Sequence, residues 1–231
     1  MRPQVEILAP AGSTESMVAA INAGADAVYF GGNKFGARAY EDNFTEEELR
    51  KALRYAHVHG RKMYLTLNTL VKTREFGEIH DYLLPLYDAG LDGVIIQDLG
   101  VFHAVGEWFP GLPRHVSTQM GITGVHRARF LRELGAERMV PARELSLTEI
   151  MEMKNAPGLE GMELETLIHG AVCYCYSGQC LFSSMIGGRS GNRGRCAQPC
   201  RLPYRLDGEN RESYPLSLKD MCTVEILPEL I

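Results

Sequence analysis

Apolar and polar positions alternate with two periods along the first 170 residues. Short apolar runs rich in β-branched and aromatic residues occur at 5–8, 27–30, 63–67, 93–96, 115–117, 138–140 and 164–168. Runs of that length predict strands. Between them, 14–23, 45–59, 75–89, 100–108, 125–134 and 146–154 carry apolar residues at helical spacing. Cap chemistry agrees. Asn43 and Thr45 precede Glu46, Glu47 and Glu48, placing carboxylates in a first turn, where the helix dipole favours them. Ser146 with Glu149 forms a capping-box pattern.

Three helices end in the same way: Ala23-Gly24-Ala25-Asp26, Ala89-Gly90-Leu91-Asp92 and Leu134-Gly135-Ala136-Glu137. Each puts glycine, which takes the left-handed C-cap conformation without a Cβ penalty, just before a strand. Seven strands alternating with helices imply a parallel sheet. The first strand runs into Ala9-Pro10-Ala11-Gly12-Ser13, which is not the glycine-rich phosphate turn of a nucleotide-binding open sheet. Polar residues recur at strand ends: Asn68, Gln97 with Asp98, Thr118 with Gln119, Arg143 with Glu144, and His169. A TIM-barrel-like (β/α) domain would gather these at the C-terminal mouth. The expected division is barrel repeats over 1–170, a Cys/Arg-rich insertion over the mouth at 171–212, and a return strand (215–218) with the start of a helix from Asp220 at 213–231. The last residues carry no helix C-cap, so the barrel is expected to be incomplete at its C-terminus.

The period fails where the cysteines begin. All six lie between Cys173 and Cys222, in the pattern Cys173-x-Cys175-x4-Cys180-x15-Cys196-x3-Cys200-x21-Cys222. With 45% hydrophobic and 23% charged residues the composition is globular, which excludes a disordered or collagen-like chain. No apolar run is long enough to cross a membrane, and 1–4 lead straight into the first strand without an apolar signal core. A cytoplasmic protein is expected, and its thiols then stay reduced rather than forming disulfides. Thiolates bind zinc or iron–sulfur clusters. The paired CxxC knuckles of zinc ribbons are absent, and loose spacing with intervening glycine and arginine suits a cluster inside a folded loop better. Buried small thiols or a redox pair at Cys173/Cys175 or Cys196/Cys200 are the plainer alternatives.

The formal net charge of −5 gives no global attraction to nucleic acid. Locally the balance reverses: Arg189, Arg193, Arg195, Arg201 and Arg205 lie in a stretch with no Asp or Glu between Gly170 and Leu206. Tyr174, Tyr176, Phe182 and Tyr204 interleave with them. Such a segment suits phosphate contact and base stacking. Ion pairing of these arginines elsewhere on the surface, with the aromatics as the loop's own core, is the structural alternative.

The run His169-Gly170-Ala171-Val172-Cys173-Tyr174-Cys175-Tyr176-Ser177-Gly178-Gln179-Cys180, followed by Gly188-Arg189-Ser190-Gly191-Asn192-Arg193-Gly194-Arg195-Cys196 and Cys196-Ala197-Gln198-Pro199-Cys200-Arg201, resembles peptidase family 32 of unknown catalytic type, the collagenase-like proteases. Leu8-Ala9-Pro10-Ala11-Gly12, Leu67-Asn68, Gln97-Asp98, Ser117-Thr118-Gln119 and Ser217-Leu218-Lys219-Asp220-Met221-Cys222 extend the resemblance over essentially the whole chain. It implies two activities. One is proteolysis, from which the family takes its name. The other is oxygen-independent hydroxylation of tRNA, rRNA or a quinone precursor, with prephenate as oxygen donor and, in some members, a 4Fe–4S cluster. By motif the cluster ligands are Cys173, Cys180, Cys196 and Cys222, with Cys200 the alternative fourth and Cys175 outside the set. Family members continue past the Lys-Asp-Met-Cys element, whereas this chain stops soon after it.

The expected function is therefore cluster-dependent hydroxylation of RNA bases. His169, Glu144 and Asp98 are the candidate catalytic groups. Asn68, Gln97, Gln119 and Arg143 are candidates to hold the base or oxygen donor, with Arg189, Arg193 and Arg195 meeting RNA. Arg143 suits a carboxylate bidentately, and His169 or Glu144 suits proton transfer. A peptidase is the alternative. The chain has no HExxH and no GxSxG, leaving Cys173 with His169 four residues before it as the conceivable nucleophile–base pair. A third reading is a non-catalytic, cluster-carrying subunit with a protein partner of the same family. The remaining histidines, 57, 59, 80, 103, 115 and 126, read as surface or packing residues.

Overall fold

The structure, a computed structural model, describes residues 5–32, 34–37, 44–205 and 212–231. Seven strands form one sheet in chain order: β1 (Leu8–Pro10), β2 (Ala27–Gly31), β3 (Lys62–Leu67), β4 (Gly93–Ile96), β5 (Arg114–Val116), β6 (Arg138–Met139) and β7 (Glu163–Leu164). Every pairing is parallel, as in Val28↔Met63, Leu65↔Val94, Ile96↔Val116 and Met139↔Leu164. The helices between them are α1 (Thr14–Asn22), α2 (Glu46–Val58), α3 (Thr73–Asp88), α4 (Leu99–Trp108), α5 (Val125–Glu133) and α6 (Leu147–Lys154). Strict sequential order with helical crossovers is (β/α)-barrel winding.

The sheet curls without closing. Just ahead of β1, Glu6 reaches Arg138 of β6 at 2.7 Å and the Tyr64 hydroxyl of β3 at 3.1 Å, so the two edges face one another across the interior. β3 and β4 read as continuous apolar runs because both faces are covered: Met63, Leu65, Val94 and Ile96 are fully buried. Leu49, Leu53 and Ala56 of α2 and Ile79, Leu83 and Leu86 of α3 pack the outer layer.

The predicted caps are present. Thr45 accepts from the Glu48 backbone while the Glu48 carboxylate accepts from the Thr45 N–H at 2.8 Å; Ser146 and Glu149 repeat the arrangement. Asn43 lies outside the described residues. Gly24, Gly90 and Gly135 take φ of +101°, +88° and +90° at the predicted joints.

The tail departs from expectation. No strand forms at 215–218, where Pro215 offers no N–H to a ladder and the backbone turns, Ser217 N–H donating to the Tyr214 carbonyl. The return strand is β11 (Met221–Cys222), antiparallel to β8 (His169–Gly170), with Met221 opposite Gly170 and Cys222 opposite His169. A 3-10 turn (Val224–Ile226) and helix α8 (Leu227–Leu230) follow, in place of a helix from Asp220. Between β8 and β11 the chain forms α7 (Phe182–Gly187) and a second small ribbon of β9 (Tyr204–Arg205) with β10 (Glu212–Ser213). Among the described residues no helix is long and apolar enough to cross a membrane.

Candidate functional site

The strand ends surround a cavity of about 170 Å³, with walls that include Gly12, Tyr29, Asn68, Ser117, Arg143 and Glu165. All seven strands, or the segments just after them, contribute (β4 through Ile95), because parallel winding brings every strand's C-terminal end to one face.

Several polar residues singled out from the sequence meet here. Asn68 lines the cavity and fixes its amide through Oδ1, which accepts from Ala37 N–H at 2.8 Å. Arg143 lines it too: Nη1 donates to the Ala171 carbonyl at 2.8 Å, while Nε is buried without a partner. Gln97 is buried, donating from Nε2 to the Gln119 carbonyl at 3.2 Å and leaving Oε1 unpartnered. Gln119 thus takes part through its backbone. Asp98 is committed elsewhere. Its Oδ1 accepts from Gly100 and Val101 N–H and its Oδ2 from Val71 N–H, which makes it the N-cap of α4 and a tie to the β3–α3 connection. His169 lies exposed on β8, outside the cavity lining.

The cysteine loop is fastened over this mouth at several points. Glu144 Oε1 accepts from Ser177 N–H at 3.0 Å. Gly178 has φ +73°, and a Cβ there would overlap the Gln119 carbonyl oxygen. Gly194, also at φ +73°, lies so close to the Gly36 carbonyl that a side chain would collide with it. Arg193 donates to the Leu70 carbonyl at 2.8 Å and pairs with Glu75 at 2.7 Å, beside a Leu70 N–H bond to the Asn192 carbonyl. Arg201 reaches the Val172 carbonyl at 3.0 Å and Ser217 Oγ at 2.9 Å. Arg193 is therefore a tether, whereas the exposed guanidiniums of Arg189 and Arg195 make no hydrogen bond or ion pair among the described residues. Glu75 had no motif to mark it; its position three residues after Lys72 reads only as a helix-cap acid.

All six cysteines are free thiols. Burial and a hydrogen bond with Cys180 push the Cys175 thiol up, with Cys173 and Cys200 adding to the effect. Burial also raises Cys200; Arg201 opposes this, while Cys173, Cys196 and Cys180 reinforce it. Cys175 and Cys200 thus each feel Cys173 and Cys180, and Cys200 also feels Cys196, whereas Cys222 acts on neither and stands opposite His169, four residues before Cys173. Among the described residues no three Cys, His, Asp or Glu side chains stand close enough to hold one metal ion. The donor type is nevertheless one an iron–sulfur cluster takes: several cysteines on one loop, whose sulfurs bind metal as thiolates.

Inside the barrel, Arg138 on β6 is almost fully buried and pairs with Glu6 and Glu163 at 2.7 Å each. Burial pushes the neighbouring His115 down to about 3, with Arg138 adding to the effect, so the imidazole is neutral. Burial pushes Glu165 up to about 7. None of Glu6, Arg138 and Glu165 stands in a recognisable motif.

A sequentially wound, curled α/β sheet with polar side chains at the strand ends and a loop fastened over its mouth is a TIM-barrel-like architecture. The chain belongs to peptidase family U32, whose profile matches residues 12–231. It is 37% identical over 237 residues to tRNA hydroxylation protein P1 of Bacillus subtilis, an alignment covering 98% of this chain and 56% of that protein. It is 40% identical over 222 residues to the 23S rRNA 5-hydroxycytidine synthase of Escherichia coli, covering 94% and 33%. A Porphyromonas gingivalis collagenase is 34% identical over 244 residues, covering 98% and 58%. The chain spans about half the length of the curated relatives it matches, and a third of the rRNA enzyme. The solved structure of a U32 peptidase superposes with TM-score 0.61 at 15% identity, covering 73% of this chain and 70% of that one, which supports the barrel fold.

Proposed function

We propose that this chain is the barrel portion of an enzyme that hydroxylates a base of RNA without molecular oxygen. The observation that carries the reading is the placement of a thiol-rich, arginine-bearing loop over a barrel-mouth cavity. Its volume, about 170 Å³, is close to the roughly 150 Å³ that holds a single six-membered aromatic ring. A base must leave its stack to enter such a pocket. Among the described residues the Arg189 and Arg195 guanidiniums have no partner, and Tyr174 and Tyr176 are 58% and 61% exposed; together they offer phosphate contacts and stacking faces around the opening. Arg143 and Asn68 then orient what enters, through Nε and the free amide NH2.

A 4Fe–4S cluster on the cysteine loop belongs to the same proposal, as does a small organic oxygen donor such as prephenate. Bound there, the cluster supplies one-electron chemistry beside the mouth. The chain's own residues hold the loop in place: Glu144, Arg193, Arg201 and the two tightly packed glycines. Cys173, Cys180 and Cys196 are the proposed ligands common to both ligand sets. The fourth is Cys222 by motif or Cys200 by proximity.

A peptidase needs an activated nucleophile, and no hydrogen bond joins His169 to Cys173. The test is mass spectrometry of nucleosides from the tRNA and rRNA of a strain lacking the gene. The proposal expects a hydroxylated nucleoside to disappear and to return with the full-length gene but not with its Cys180→Ala variant. An unchanged nucleoside profile, with cleavage of gelatin by the purified protein, would establish the peptidase reading instead.

A further inference from the structure

We propose that Glu165 is a specificity-determining residue, contacting the base in the barrel cavity through its carboxyl group. This deepens the RNA-base reading and rests on it. Glu165 follows β7 and forms part of the cavity wall with Arg143 and Asn68. Its side chain is 22% exposed, and Oε2 is buried without a hydrogen-bond partner. Arg138 Nη1 forms a long ion pair with it at 3.6 Å, beyond hydrogen-bond distance, because that guanidinium donates its hydrogen bonds to Glu6 and Glu163. A buried carboxyl oxygen left without a hydrogen bond at a cavity wall is costly unless a ligand donates one.

The charged groups around it explain its second property. Burial is the largest effect and raises its pKa; Arg138 on β6 lowers it; Glu6 ahead of β1 and Glu163 on β7 raise it again, for a net value of about 7. His115 on β5 is neutral and adds no charge. Lys62 on β3 is taken by Glu6 at 3.1 Å. Arg143 is the other charged side chain on the cavity wall. Near neutrality the carboxyl therefore exists in both forms. Protonated, it donates to an unprotonated ring nitrogen such as N3 of cytosine; ionised, it accepts from a ring N–H such as N3 of uracil. Acidic conditions thus favour cytosine in the pocket and alkaline conditions favour uracil.

The test is carbon-13 NMR of the full chain labelled at glutamate carboxyls, with Glu165 assigned by its absence in Glu165→Gln. Cytidine and uridine 5′-monophosphates serve as probes. The proposal expects a midpoint near 7 that cytidine monophosphate raises and uridine monophosphate lowers. Glu165→Gln, which is close to isosteric, should bind the two nucleotides about equally. Glu165→Ala should lose about tenfold in affinity for the preferred one, the loss of one hydrogen bond. A midpoint in the ordinary carboxylate range, or one that neither nucleotide moves, overturns the proposal. The wild-type titration needs no variant to fold. A nucleotide-sensitive Glu165 alongside an unchanged cellular nucleoside profile would preserve this site while removing the hydroxylation reading.

Discussion

Replacing Arg193 with methionine should release the cysteine loop from the barrel without unfolding the barrel. The side chain keeps its aliphatic bulk but loses the bond to the Leu70 carbonyl and the 2.7 Å pair with Glu75. Hydrogen bonds to charged groups contribute about 1.5–3 kcal/mol each when well shielded. Here the side chains are 31% and 21% exposed, so solvent screening reduces the total to about 2 kcal/mol. That corresponds to roughly a 30-fold rise in the open fraction of the loop. Hydrogen exchange followed by mass spectrometry should show this loss of protection in peptides spanning 188–201, with β3 and β4 unaffected. The pair also sets a pH dependence. Arg193 and the Lys72 backbone N–H hold the Glu75 carboxyl at about 2, below its ordinary 4.5. Its contribution is therefore complete above pH 4.5 and lost as pH falls toward 2, where wild type and variant should converge. Unchanged exchange in 188–201 at neutral pH would refute the tether.

Three further outcomes follow from the geometry. Arg138→Met leaves the largely buried Glu6 without its cation, while the 62% exposed Glu163 is solvated, so it should cost about 3 kcal/mol in urea unfolding, the low end for a broken buried pair; a loss under about 1 kcal/mol would show that the crossing pairs do not hold the curled sheet together. Gly178→Ala cannot keep its backbone against the Gln119 carbonyl, so it should destabilise the loop by more than about 1 kcal/mol, seen as faster proteolysis near Ser177; wild-type resistance would contradict the close approach. Because the folded pKa of Glu165 is raised from 4.5 to about 7, the folded state holds a proton that the unfolded chain releases. Its contribution should thus fall by up to about 3 kcal/mol between those values and level off above them, and Glu165→Gln should flatten that limb of the stability profile.

The architecture was largely legible because each of its determinants is local. Apolar runs of three to five residues, capping boxes at Thr45 and Ser146, and glycines 24, 90 and 135 each specify an element or joint without distant partners. Strand ends then follow from the winding, which is why Asn68, Gln97 and Arg143 could be placed at or beside the mouth. What stayed hidden depends on long-range contact. Asp98 reads as an active-site acid until Val71 N–H is found 27 residues away, taking its second oxygen. Arg193 reads as an RNA contact until Glu75 is found 118 residues away. Arg138 sits in the two-residue strand β6 and Glu165 just after β7, neither in a motif, and their properties come from distant neighbours: Glu6 ahead of β1, Tyr64 on β3, and one another. The 215–218 run failed because apolar character alone does not supply a ladder partner for a segment beginning with proline.

The cysteine loop as a cluster cradle over the base cavity is most directly tested by anaerobic purification of the full-length protein. Iron and sulfide are then determined in wild type and in single Cys→Ala variants at 173, 180, 196, 200 and 222. The account predicts a brown protein with about four irons per chain, abolished by loss of Cys173, Cys180 or Cys196 and of one, not both, of Cys200 and Cys222. A colourless, iron-free wild type that is folded and anaerobically handled would contradict it.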